Sequence, residues 1–315
     1  MPTSPNNPAA GNQSDESPSP LARALAAQSA AQFDDLAKAR GLDASTFAVL
    51  AERAESLDAE LAAWGADDSA RAGVRAHLAA LRAVTTLLEN PASPAIPPSN
   101  DLIYSAVLDI TELTPIVRTL GSSNAGREAV CRHLSEPNPT LTRADRLALS
   151  FASICKRGGL DVTPPDSPGE PASIKIDRWR IAAVPAVPSS STDLSSSLMR
   201  TAEVLKDRKR PGLILLEAGP LLDWEPITVA EDQTATTIMN ERLDAFMLKA
   251  RETTIETIGT EHAFGLIVHA TLPATNAVSR RLLFAECLRA VNLCDTQDPR
   301  AEGFRSIAHA MTHSA

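Results

Sequence analysis

The sequence predicts a helical N-terminal half followed by a small α/β domain built on a mixed sheet of about four strands. Three observations carry this reading. Apolar residues recur at helical spacing over residues 21–90. Short apolar runs of strand character begin only at Ser173 and return at residues 213–216 and 263–270. Aromatic residues are 3% of the chain while hydrophobic residues are 43%, so the core is made of Ala, Leu, Ile and Val. Such a core suits closely packed helices better than an aromatic-rich sandwich.

A chain of 315 residues can bury a sizeable core and is long enough for two domains. Residues 1–20 are rich in Pro, Ser and Asn and cannot bury enough surface to offset their ordering entropy, so they read as a disordered tail. Leu21, Leu25, Gln28, Gln32 and Leu36 then form one stripe, with Phe33 beside it and Gly41 as its C-cap. Asp43 or Ser45 caps a second helix, in which Leu50, Leu57, Leu61 and Trp64 recur. Asp67 or Ser69 opens a third, with Val74, Leu78, Leu81, Thr85 and Leu88 on one face. Short loops between these helices imply an antiparallel bundle. The narrow, Ala-padded stripes also suit pairing with a second copy of the chain.

Residues 91–100 form a Pro-rich linker. Asp101 caps a segment carrying Leu102, Ile103, Val107, Leu108 and Ile110, which Pro115 should kink or break. A turn at residues 121–124 leads to a short helix closed by the prolines of EPNP. Thr140 or Thr142 caps the next helix, which Gly158 and Gly159 end. The helical domain is therefore expected over residues 21–138 and the α/β domain over residues 139–295.

Residues 161–173 read as a loop from their Pro and Gly content. Residues 173–187 hold two strands that turn at Asp177 and Arg178. Asp193 caps a helix carrying Leu194, Leu198, Ala202 and Leu205. The run at 213–216 is a strand buried on both faces, and 238–258 is a long helix. A strand follows over 263–270, then a final helix over 279–291. Residues 296–315 read as a polar C-terminal tail.

The polar loop after Ile181 and the buried run after the next helix carry a resemblance. The stretch Ile181-Ala182-Ala183-Val184-Pro185-Ala186-Val187, followed by PGLILLEAG, is similar to the core of the restriction-endonuclease-like PD-(D/E)XK nuclease superfamily. In that superfamily a strand ends in Glu-x-Lys before a polar loop, a helix and a second buried strand. Val184 stands where the Glu belongs and Ala186 where the Lys belongs. The resemblance spans about residues 142–291, without the defining motif. It implies Mg²⁺-dependent phosphodiester hydrolysis, which needs carboxylates on a metal and a lysine at the attacking water. Valine and alanine supply neither. The remaining acids are Asp166 after Pro164-Pro165, Asp177 at the hairpin turn and Glu217 at a strand end, where ligand sites of α/β sheets lie. Asp166 and Asp177 also fit ordinary turn chemistry.

Other constellations are weaker. Lys206, Arg208, Lys209 and Arg210 in KDRKR suit a helix C-terminus and could contact phosphate. His309 and His313 have the i, i+4 spacing of metal ligands but no third partner in sequence. His269 lies within an apolar strand, with His262 just before it. Cys131, Cys155, Cys287 and Cys294 lack C-x-x-C spacing and read as reduced thiols. No Gly-rich phosphate loop and no G-x-S-x-G elbow is present. The net charge of −9 argues against broad nucleic-acid binding. The N-terminus has no signal-peptide pattern, and no run approaches the ~20 apolar residues of a membrane span, so the cytoplasm is expected.

Two functional expectations follow. One is a non-catalytic protein needing no cofactor, with a degenerate nuclease-like domain and a helical interaction module. It would act through a protein partner, self-association or weak nucleic-acid contacts. The other is an active Mg²⁺-dependent nuclease, or another hydrolase, whose acids have migrated to positions such as Asp166, Asp177 and Glu217.

Overall fold

The computed structural model describes residues 44–90, 93, 98–177, 179–209, 212–222, 227–258, 261–278, 282–295 and 297–313. The expected N-terminal tail, the helix over 21–36, most of the Pro-rich linker, Arg178 and Arg210 lie outside them. The helical half comprises α1 (Ala44–Ala63), α2 (Asp68–Glu89), α3 (Asn100–Leu120), α4 (Asn124–Ser135) and α5 (Pro139–Arg157). The α/β half follows as β1 (Asp161–Thr163), β2 (Ala172–Ile176), β3 (Trp179–Ala186), α6 (Leu194–Arg208), β4 (Gly212–Glu217), β5 (Ile227–Val229), α7 (Asp232–Ile258), β6 (Ala263–Asn276), β7 (Leu282–Asn292) and α8 (Arg300–His313). Helical half followed by mixed sheet is the predicted class.

The helices start where side chains satisfy their free N–H groups. Asp67 accepts from Ala70 N at the head of α2, as expected. Ser99, not Asp101, accepts from Leu102 N at the head of α3. Pro139, rather than a threonine, opens α5, where a missing N–H costs nothing. Leu50, Leu57 and Leu61 of α1 meet Val74, Leu81 and Val84 of α2 and Ile103, Val107 and Ile110 of α3 in one core. Helix α3 runs through Pro115 instead of breaking there. Ile116, Val117 and Leu120 beyond it are buried in that same core, and their packing offsets the roughly 3 kcal/mol that an interior proline costs.

Among the described residues the sheet has seven strands rather than four. Its order is β1-β2-β3-β4-β6-β5, with β7 also paired to β6. Since β7 lines one side of β6 over Gly265–Thr275, β4 and β5 follow one another along the other side. β1, β2 and β3 form an antiparallel meander, β3, β4 and β6 run parallel, and β7 returns antiparallel. Part of the expected 161–173 loop is thus the edge strand β1. The expected helix over 279–291 is strand β7, because the long strand β6 leaves a full edge of N–H and C=O groups that it pairs. A sequence such as LLFAECLRAVN is apolar enough for either form, and the available edge decides.

Both faces of the sheet are covered, which is why its central strands are apolar throughout. Ala182, Val184, Ala186, Ile214, Leu216, Leu266 and Val268 face α6 and α7. Ile181, Ala183, Leu213, Leu215 and Ile267 face α5 and α8. The expected polar tail contains α8, whose Ala301, Phe304, Ile307 and Met311 form a buried stripe. Gly265 makes room for it: a Cβ there would stand 2.5 Å from the Phe304 ring.

Helix α5 joins the halves. Leu149 and Ala152 enter the helical core, while Leu147, Phe151, Ile154 and Cys155 enter the sheet core. Gly159, at φ +86°, turns the chain from α5 into β1. Leu149→Ala should cost about 2–5 kcal/mol. Because α5 belongs to both cores, urea unfolding followed by far-UV circular dichroism should remain a single transition, moved to lower urea, rather than split in two.

Candidate functional site

At the carboxyl end of β4, Glu217 and His269 sit level with one another on adjacent parallel strands. Both side chains have the strand parity that faces α5 rather than α6. His269 Nδ1 lies 3.0 Å from Glu217 Oε2, and Glu217 Oε1 accepts from Gly219 N at 3.2 Å. Across from this pair, α3 contributes Asp109 and Glu112 and α5 contributes Arg146. Arg146 Nη1 bonds Asp109 Oδ1 and lies 3.7 Å from Glu112 Oε2. His77 Nε2 of α2 is 2.8 Å from Asp109 Oδ2. Charged and imidazole side chains from α2, α3, α5, β4 and β6 therefore meet where the helical half touches the sheet.

Burial and neighbouring charges set the proton affinities. Burial raises Glu112 above the usual carboxylate range. The Arg146 and His269 charges oppose that rise, and Glu217 and Asp109 reinforce it. Burial also acts on Asp109, but the His77 bond and the Arg146 charge and bond outweigh it, so Asp109 is held low. His133 of α4 is 1% exposed, and neither ring nitrogen has a hydrogen-bond partner among the described residues. Burial, with the Arg146 charge adding to it, pushes its imidazole down to about 3. Among the described residues, the same knot leaves His77 Nδ1 and Arg146 Nε without a hydrogen-bond partner. Such atoms in a polar interior are where an ordered water binds.

The other predicted residues lie apart from this knot. Asp177, with φ 51°, is an exposed turn residue between β2 and β3. Ala186 pairs with Leu216, so Glu217 lies level with Val187, at the far end of β3 from the Asp177 turn. At the strand rise the eight residues of β3 span about 26 Å. Asp166 is exposed and follows β1, three strands and so about 14 Å from β4. Its loop is tied to α5 by Gly169 N donating to Asp145 Oδ1 at 2.6 Å. Among the described residues no group of three or more His, Cys, Asp or Glu is arranged to hold a metal ion.

Lys206, Arg208 and Lys209 end α6 at the opposite end of β4 from Glu217, and Arg208 pairs with Glu170 at 3.2 Å. His309 lies on α8, an ordered helix rather than a tail, with His313 at its last position. Cys131, Cys155 and Cys294 are free thiols, and burial lifts Cys155 up to about 12.

Sequence reasoning reached Glu217 but set His269 aside, and it missed His77, Asp109, Glu112, His133 and Arg146. One signal was present. Asp109 stands between Val107 and Ile110 within an apolar stripe, where a charge needs a partner from another element.

Compared with known protein families, curated proteins and solved structures, the chain matches none. Among the described residues, no helix is long and apolar enough to cross a membrane.

The knot makes stability depend on pH through His133. Its folded affinity for protons is lowered, so its contribution is fully present above about pH 6.5 and is lost as pH falls towards 3. Between pH 7 and pH 5 the protein should lose about 2 kcal/mol through this group. His133→Leu should flatten the pH dependence of the urea midpoint over that range by close to one proton.

Proposed function

We propose that this chain is a non-catalytic protein that works through contacts, with a nuclease-like α/β domain joined to a helical interaction module. One observation carries the reading. Val184 and Ala186, which align with the Glu and Lys of the nuclease motif, are 2% and 1% exposed in the apolar layer beneath α6 and α7. Glu217 has the opposite strand parity and is engaged by His269. Asp177 lies at the other end of β3, and Asp166 leaves a strand three positions away. Carboxylates so placed cannot share an ion whose oxygen ligands stand at about 2.0–2.6 Å.

The nuclease-like half of the proposal is supported by the order β2, β3, polar loop, α6, buried β4, which is the order the resemblance implies. In this reading the protein acts in the cytoplasm and without a cofactor. Its contacts are a protein partner or a second copy, and nucleic acid is bound weakly at most, in keeping with the net charge of −9.

The test is incubation with single- and double-stranded DNA and RNA in the presence of Mg²⁺ or Mn²⁺, alongside a thermal-shift titration of both ions. No strand cleavage and no metal-specific rise in melting temperature are expected. Metal-dependent cleavage that disappears in Glu217→Ala would instead establish the alternative, an active Mg²⁺-dependent nuclease with relocated acids.

A further inference from the structure

Beyond the carboxyl end of β3, between α5 and α6, lies a cleft of about 690 Å³. Its size is that of a small-molecule site, and α/β sheets bind ligands beyond the carboxyl ends of their parallel strands. Two arginines line it from different helices, Arg143 of α5 and Arg200 of α6. Ser189, Ser190 and Thr192 line it too; the Ser189 hydroxyl donates to Asp193 Oδ2 at 3.4 Å, and the Ser190 and Thr192 hydroxyls share a hydrogen bond at 2.9 Å. Arg143 has no ion-pair or hydrogen-bond partner among the described residues. In a chain of net charge −9, two arginines lining one cleft are a local reversal of sign.

The one carboxylate in the lining, Asp193, is already engaged by donors. It accepts from Ser196 Oγ at 2.5 Å and Ser189 N at 3.2 Å, and Arg200 lies 3.5 Å away. The Ser196 bond, first among these contacts, holds its carboxyl below the usual range. Asp193 thereby braces the serine loop and sets the direction of Arg200. Two arginines against this single acid leave the cleft with a formal charge of +1. A guanidinium fork matches the oxygens of a phosphate, and hydroxyls donate to an acceptor that carries no proton to give back.

We propose that this cleft binds a phosphate monoester, held by Arg143 and Arg200 and oriented by the serine-rich loop. The phosphate can belong to a small ester or to a nucleic-acid end, since the recognising chemistry is the same. The cleft adjoins the Glu217–His269 knot, since Val187 of its lining stands level with Glu217, but the two share no residue and the proposal rests on the cleft alone. Its failure would leave the non-catalytic reading standing, and strand cleavage would leave the cleft standing.

The experiment is calorimetric titration of the full chain at fixed ionic strength with inorganic phosphate, adenosine 5′-monophosphate and adenosine. A short DNA strand with and without a 5′-phosphate forms the fourth arm. Phosphate and the monophosphate should bind, adenosine should not, and Arg143→Ala/Arg200→Ala should weaken binding about tenfold or more. Both arginines are exposed, so folding should persist in the double variant, and Arg157→Ala, at an exposed arginine outside the cleft, serves as the control. Tighter binding of the 5′-phosphorylated strand than of the monophosphate assigns the source to a nucleic-acid end, and equal or weaker binding assigns it to a small ester. Equal binding of adenosine, no binding of either phosphate, or unchanged affinity in the double variant overturns the proposal.

Discussion

Everything else in this structure depends on α5 being apolar on two sides. A helix that buries a single stripe belongs to one core and leaves its other face to water. Here Leu149 and Ala152 complete the helical core, while Leu147, Phe151, Ile154 and Cys155 form the floor on which the sheet rests. The two halves consequently share an element instead of meeting across a linker. Residues 136–138 join α4 to α5 without any run of flexible chain, so the helical half cannot swing away from the sheet without breaking α5 out of one core.

The same helix supplies the cation at the junction. Arg146 bonds Asp109 and stands near Glu112, while Glu217 and His269 approach from the sheet. Burying this many polar groups is costly unless they satisfy one another, and here the satisfaction is incomplete. Among the described residues His133 has no partner for either nitrogen, and Glu112 is raised because burial outweighs the cation beside it. Most of the buried unpaired side-chain nitrogens among the described residues lie at this junction.

The sheet carries three different surroundings. Its α6 face at the end of β3 is apolar, its α5 face carries the Glu217–His269 pair, and the cleft with Arg143 and Arg200 opens between the two helices. Val184 and Ala186 of β3 are packed as core.

Much of the fold was legible in the residues. Leu50, Leu57, Leu61, Val74 and Leu81 recur at the spacing that buries them, Gly158-Gly159 end α5, and the run at residues 213–216 is a strand covered on both sides. These are local matters of periodicity and backbone freedom, and a single segment contains the information. The pairing of β7 with β6, the passage of α3 through Pro115 and the burial of α8 were decided by what another segment offered: an open strand edge, a core to enter, a glycine to lie against. The candidate site belongs wholly to this second kind. Glu217 and His269 are 52 positions apart, and Asp109 and Arg146 are 37. No spacing rule reaches that far, because partners so distant are chosen by the packing of whole elements. The sequence determined by itself which residues can be helix, strand or core. Only the tertiary structure decided which polar residues meet, since a buried charge takes its partner from whichever element the core brings beside it.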